Sequence, residues 1–72
     1  MDVRSAVLRV LGSAGEPLHW TVVQDRALRE GYVDPFSTPD VRGEVHRALR
    51  ALAEEGAVRR VERGVYEAVP PG

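Results

Sequence analysis

Val3, Val7, Val10, Leu11 and Ala14 recur at the spacing of one helical face, so the pattern predicts a first helix, α1, over residues 2–14. Asp2 is placed to cap its start, and Gly15 to close its end. Leu8 lies off the stripe and has no assigned place. Pro17 forbids a helix interior in the next stretch. Leu18-His19-Trp20 therefore reads as a short extended segment, β1, that needs a partner strand from elsewhere. A second helix, α2, is predicted from Thr21 to Glu30, with Thr21-x-x-Gln24 as a capping box and Gly31 as its stop. Val23, Ala27 and Leu28 form its buried edge, and Gln24, Asp25, Arg26, Arg29 and Glu30 face water.

Tyr32 to Ser37 is a connector. Thr38-Pro39-Asp40 then reads as cap, first-turn proline and first-turn acid of a third helix, α3, which Gly56 stops. Its apolar stripe is Val41, Val45, Ala48, Leu49 and Leu52. The opposite face carries Gly43, Arg47, Arg50 and Glu54, flanked by Arg42 and His46. The stretch from Ala57 to Val69 has strand character on both sides of Arg63-Gly64 and predicts a hairpin of two strands, β2 and β3. Val58 and Val61 stand three apart and cannot share one face of a regular strand. A bulge is expected, or one of the two sits at the strand's end.

The order α1-β1-α2-α3-β2-β3 is that of an α+β winged helix-turn-helix. An isolated hairpin is marginal in water, so β1 is expected to complete a three-stranded sheet. Residues 1–69 read as a single domain, and residues 70–72, Pro70-Pro71-Gly72, as a tail or the start of a linker.

Composition narrows the function. A chain of 72 residues holds one small core and no deep pocket, which argues against a large multi-part active site. No cysteine is present, so disulfides and thiolate zinc sites are excluded. His19 and His46 match no metal-ligand spacing, and Ser5, Ser13 and Ser37 lack the context of a nucleophile. No catalysis, cofactor or metal is expected. No run approaches a membrane span or a signal peptide, which makes a cytoplasmic location the expectation.

Net charge is −1, with ten basic against eleven acidic residues. This counts against a strongly cationic nucleic-acid binder. The distribution is uneven. Residues 1–40 hold four arginines and six acids, whereas residues 41–72 hold six arginines and five acids. Every base is an arginine, a planar fork suited to phosphate or guanine.

Three short stretches carry a family likeness. Gly15-Glu16-Pro17-Leu18-His19-Trp20 resembles the signature of the HARE-type helix-turn-helix family. Ser37-Thr38-Pro39 resembles that family's lead into its third helix, and Arg63-Gly64-Val65-Tyr66 is similar to its wing. The landmarks fall in the family's order and span nearly the whole chain. The chain departs from the family in a short link, Glu54-Glu55-Gly56, before the wing, and in Ala68 where leucine is typical.

The resemblance implies a winged-helix module related to the N-terminal domain of the RNA polymerase delta subunit. It implies a role associated with transcription or with a nucleic-acid enzyme. The expected partner is double-stranded DNA, bound with α3 in the major groove and the wing on the backbone. The candidate contacts are Arg42, His46, Arg47 and Arg50 on α3, and Arg59, Arg60 and Arg63 on the wing. The competing expectation is a protein-interaction adaptor of the same fold, docking on RNA polymerase or a nuclease. The negative net charge and Glu54-Glu55 favour that alternative. The competing reading of the arginines is a solvated face with Arg47–Glu44 and Arg50–Glu54 pairs. Trp20, Tyr32, Phe36 and Tyr66 are expected at the core and its rim rather than as a base-stacking platform, with Phe36, beside two prolines in the connector, the most open of the four to solvent.

Overall fold

The computed structural model describes residues 1–70 and has the element order predicted from the sequence. Helix α1 spans Val3–Ala14. It is capped by Asp2, whose Oδ1 accepts the Ser5 N–H at 2.7 Å, and it ends on Gly15 in the left-handed region at φ 71°. Strand β1 is Leu18–His19, α2 is Trp20–Arg29 and α3 is Val41–Glu54. Strands β2, Val58–Glu62, and β3, Val65–Ala68, form the hairpin. The sheet is antiparallel with order β1-β3-β2, so the hairpin gains its third strand from the segment before α2.

Two helix starts differ from expectation. Helix α2 begins at Trp20, one residue early, and Thr21–Gln24 forms no capping box. Pairing of β1 with β3 ends at His19, and the Trp20 N–H then donates to the Gly64 carbonyl at 2.8 Å. That bond meets one of the N–H groups a helix start leaves unpaired. The His19 ring takes the capping role, with Nδ1 accepting the Thr21 N–H at 3.3 Å and lying 2.7 Å from its hydroxyl. Gln24 is half-buried rather than facing water, and its Oε1 is buried with no partner among the described residues.

Helix α3 begins at Val41, and its cap is Asp40 rather than Thr38. Asp40 Oδ1 accepts the Gly43 N–H at 3.0 Å. The Thr38 N–H is already held by the Asp34 carbonyl at 3.0 Å, so Thr38 closes the preceding turn and Pro39 precedes the cap.

The expected bulge is present. The β2–β3 register shifts between Arg60 and Glu62, leaving Val61 as the extra residue, and Val61 is exposed while Val58 is buried.

One core joins all the helices and the sheet. It includes Val7, Val10 and Leu11 of α1, Val23 and Ala27 of α2, Val45, Leu49 and Leu52 of α3, and Leu18 and Val58 of the sheet. Ala6 and Val33 also belong to it, although the helical stripe of α1 passed over the first and the connector concealed the second. Leu8, off the stripe, packs on the core edge. A forked ion pair, Arg4 Nη1 and Nη2 to the Glu55 carboxylate at 2.6 and 2.5 Å, clasps the start of α1 to the end of α3. It places a cation beside a carboxylate that would otherwise face the negative end of the α3 dipole.

Candidate nucleic-acid interface

The apolar stripe of α3 buries Val45, Leu49 and Leu52, and this alone turns Arg42, His46, Arg47 and Arg50 to solvent. Arg42, His46 and Arg50 follow one another at four-residue intervals and form a ridge. Arg47, Arg50, His46 and Gly43 line a shallow groove of about 280 Å³ whose other wall is Tyr66 of β3.

The sheet register divides the wing arginines. Arg60 lies opposite Tyr66 and Arg59 opposite Glu67. Directly paired residues share a face and neighbours along a strand do not. Arg60 therefore belongs to the face of Tyr66 and the groove, and Arg59 to the other face. Arg63 is exposed at the turn.

Not all of these cations are equally free. Arg47 donates to Glu44 Oε1 at 2.8 Å and lies 3.7 Å from Asp40 Oδ2. The hydrogen bond to Glu44, supported by the charges of Glu44 and Asp40, raises its pKa above the ordinary arginine value. Arg59 is paired with Glu67 at 3.0 Å. Arg42, Arg50, Arg60 and Arg63 have no carboxylate within ion-pair distance among the described residues. Of the two intrahelical pairs weighed above, Arg47–Glu44 forms and Arg50–Glu54 does not. Glu55, weighed with Glu54 in favour of the adaptor, is paired with Arg4. The bond to Arg4 holds its carboxyl below the usual glutamate range.

Trp20 was missed as part of this surface. It packs on the core rim, and its ring carries Arg42, with the guanidinium carbon 5.2 Å from the centroid, and His46, with ring centroids 4.4 Å apart. An arginine over an indole face is attracted to it and loses rotamer freedom. No local pattern reveals this contact, because it depends on how α2 and α3 cross.

Gly43 has a structural explanation. A Cβ there would fall 2.1 Å from Asp40 Oδ2, so the residue leaves room for the α3 cap to fold back. Among the described residues, no three of His, Cys, Asp or Glu gather as a metal-binding set, and no helix is long and apolar enough to cross a membrane. Comparison with family models, curated proteins and solved structures finds no match to this chain.

Proposed function

We propose that this chain is a duplex-DNA-binding module, with α3 lying in the major groove and the wing arginines on the backbone. The reading assigns binding and no catalysis, and places the protein at the nucleoid. The observation that carries it is that four of the six arginines without a carboxylate partner among the described residues, Arg42, Arg50, Arg60 and Arg63, lie on α3 and the wing, two of them on one helical ridge and one on the adjoining sheet face. An exposed helix bearing arginines has the dimensions and donors to read a major groove, and arginines on a turn suit phosphates. Trp20 supports the reading by holding Arg42 and His46 against a rigid surface.

Fluorescence anisotropy of a labelled duplex tests it. If each of those four arginines meets a phosphate, log affinity falls against log salt with a slope of about −3.6. All six candidate arginines engaged would give a steeper slope, but Arg47 and Arg59 must first leave their carboxylates. Arg50→Glu is expected to abolish binding at low salt without altering the unfolding transition. No binding at tens of micromolar protein at low salt would overturn the reading. It would instead favour the adaptor function, which the local neutralisation of Arg47 and Arg59 also suits.

A further inference from the structure

Phe36 lies in the connector between α2 and α3 and is 97% exposed; the next most exposed large apolar residue, Met1, is 61% exposed. Single apolar residues on a surface are ordinary, but this one is held out by a pre-ordered turn. Asp34 Oδ1 accepts the Phe36 N–H at 2.9 Å, and Oδ2 accepts the Ser37 hydroxyl at 3.0 Å. The Asp34 carbonyl accepts the N–H groups of Ser37 and Thr38 at 3.1 and 3.0 Å. Pro35 restricts the backbone between them, and buried Val33 anchors the start of the segment. The ordering cost that a flexible loop meets on binding has largely been met in the free protein.

The surroundings select the partner. The flank of the connector is a hollow that includes Asp2, Ser37, Asp40 and Glu44 and no basic lining residue. With Asp34, four carboxylates stand here against Arg47, the amino terminus and Arg9, whose guanidinium lies over the Tyr32 ring. This field repels a phosphate backbone, so Phe36 is not a wedge for the duplex. A second copy fits poorly as well. The chain's own most apolar recess, between α1 and β3 beside Leu8, Leu11, Pro17 and Ala68, has Glu16 and Glu67 as its only charged lining residues. The cation beside it, Arg59, is already held by Glu67, so it offers the acidic flank no free one.

We propose that Phe36 is the anchor of a protein-docking surface, and that its partner presents an apolar recess rimmed by lysine or arginine. The surface is separate from the arginine ridge of α3 and stands whether or not that ridge binds DNA.

The test is selection from a random displayed-peptide library on the folded wild-type chain, followed by titration of the selected peptides. Peptides in which apolar residues sit beside lysine or arginine are expected to emerge. Their affinity should fall roughly 30-fold or more on Phe36→Ser, the scale of losing an aromatic anchor, and persist on Phe36→Trp. Phe36→Ser touches no packing, so its melting curve should overlay that of the wild type. The proposal is overturned if no peptide is enriched, if the selected peptides are acidic, or if they bind Phe36→Ser unchanged. It is also overturned if sedimentation shows a dimer that Phe36→Ser abolishes, or if Phe36→Ser weakens binding to duplex DNA.

Discussion

Replacing Gly64 by alanine probes the joint on which the wing is mounted. Gly64 has φ 77°, where an L-residue is disfavoured by about 1–2 kcal/mol. An added Cβ would also lie 2.9 Å from His19 Nε2 and 3.4 Å from Trp20 Cδ1. His19 is the α2 cap, so relieving that contact displaces the capping ring and threatens a further ~0.5–2 kcal/mol. The Gly64 carbonyl receives the Trp20 N–H, and a shift of the turn weakens that bond too. A total loss of about 2 kcal/mol follows, from the few kcal/mol available to a domain of this size. At roughly 4–8 °C per kcal/mol, the melting temperature should fall by about 8–16 °C. Far-UV circular dichroism during heating, with urea titration for the free energy, reads the effect. Gly12→Ala is the control, because a Cβ at that helical position meets nothing within 4 Å and should stabilise by up to about 1 kcal/mol. Gly64→Asn separates the causes. Asparagine tolerates the left-handed region, so it should recover stability if backbone strain dominates and none if the His19 contact does. A Gly64→Ala protein as stable as the wild type would refute the reasoning.

Three further outcomes follow from the packing and charge pairs. Leu49→Ala, at a fully buried site, should cost about 2–5 kcal/mol in urea unfolding, enough to leave much of the population unfolded at 25 °C. Asp40→Ala should lose about 0.5–2 kcal/mol as α3 loses its cap, whereas Thr38→Ala should change little; equal losses would restore Thr38 as the cap. Stability should also fall in acid. The Arg4 hydrogen bond lowers the Glu55 carboxyl below 4.5, and the Ser5 N–H lowers Asp2 below 3.8. A lowered native pKa adds stability above the unfolded value, which is lost as pH falls through the native one. The loss should therefore begin near pH 4.5 and continue below 3.8. Arg4→Gln should remove the Glu55 part of that slope, which melting curves at a series of pH values will show.

Much of the fold was legible because its causes are local. The stripes of α1 and α3 named most of the core, and Arg63-Gly64 marked the turn. The clash of period between Val58 and Val61 exposed the bulge. Errors fell at the helix starts. Thr21 and Thr38 are sound caps by residue type. A strand pairing moved the first boundary, however, and at the second the Asp40 carboxylate took the Gly43 N–H, so the helix starts after Asp40 rather than after Thr38. The candidate site was legible as a set of exposed arginines, because burying one face of a helix exposes the other. Which arginines are held by acids was only partly so. Arg47–Glu44 lies within one helical turn, but Arg59–Glu67 and Arg4–Glu55 join distant residues.

The sequence by itself determined the order of elements, the apolar faces and the outward direction of Arg42, His46, Arg47 and Arg50, since periodicity acts over a few residues and needs no partner. Tertiary structure decided what those side chains meet. It set Trp20 beneath Arg42 and His46, Tyr66 across from Arg50, and Arg60 and Arg59 on opposite faces of the wing. These contacts follow from helix crossing and strand register, which arise only when separate apolar faces are buried together.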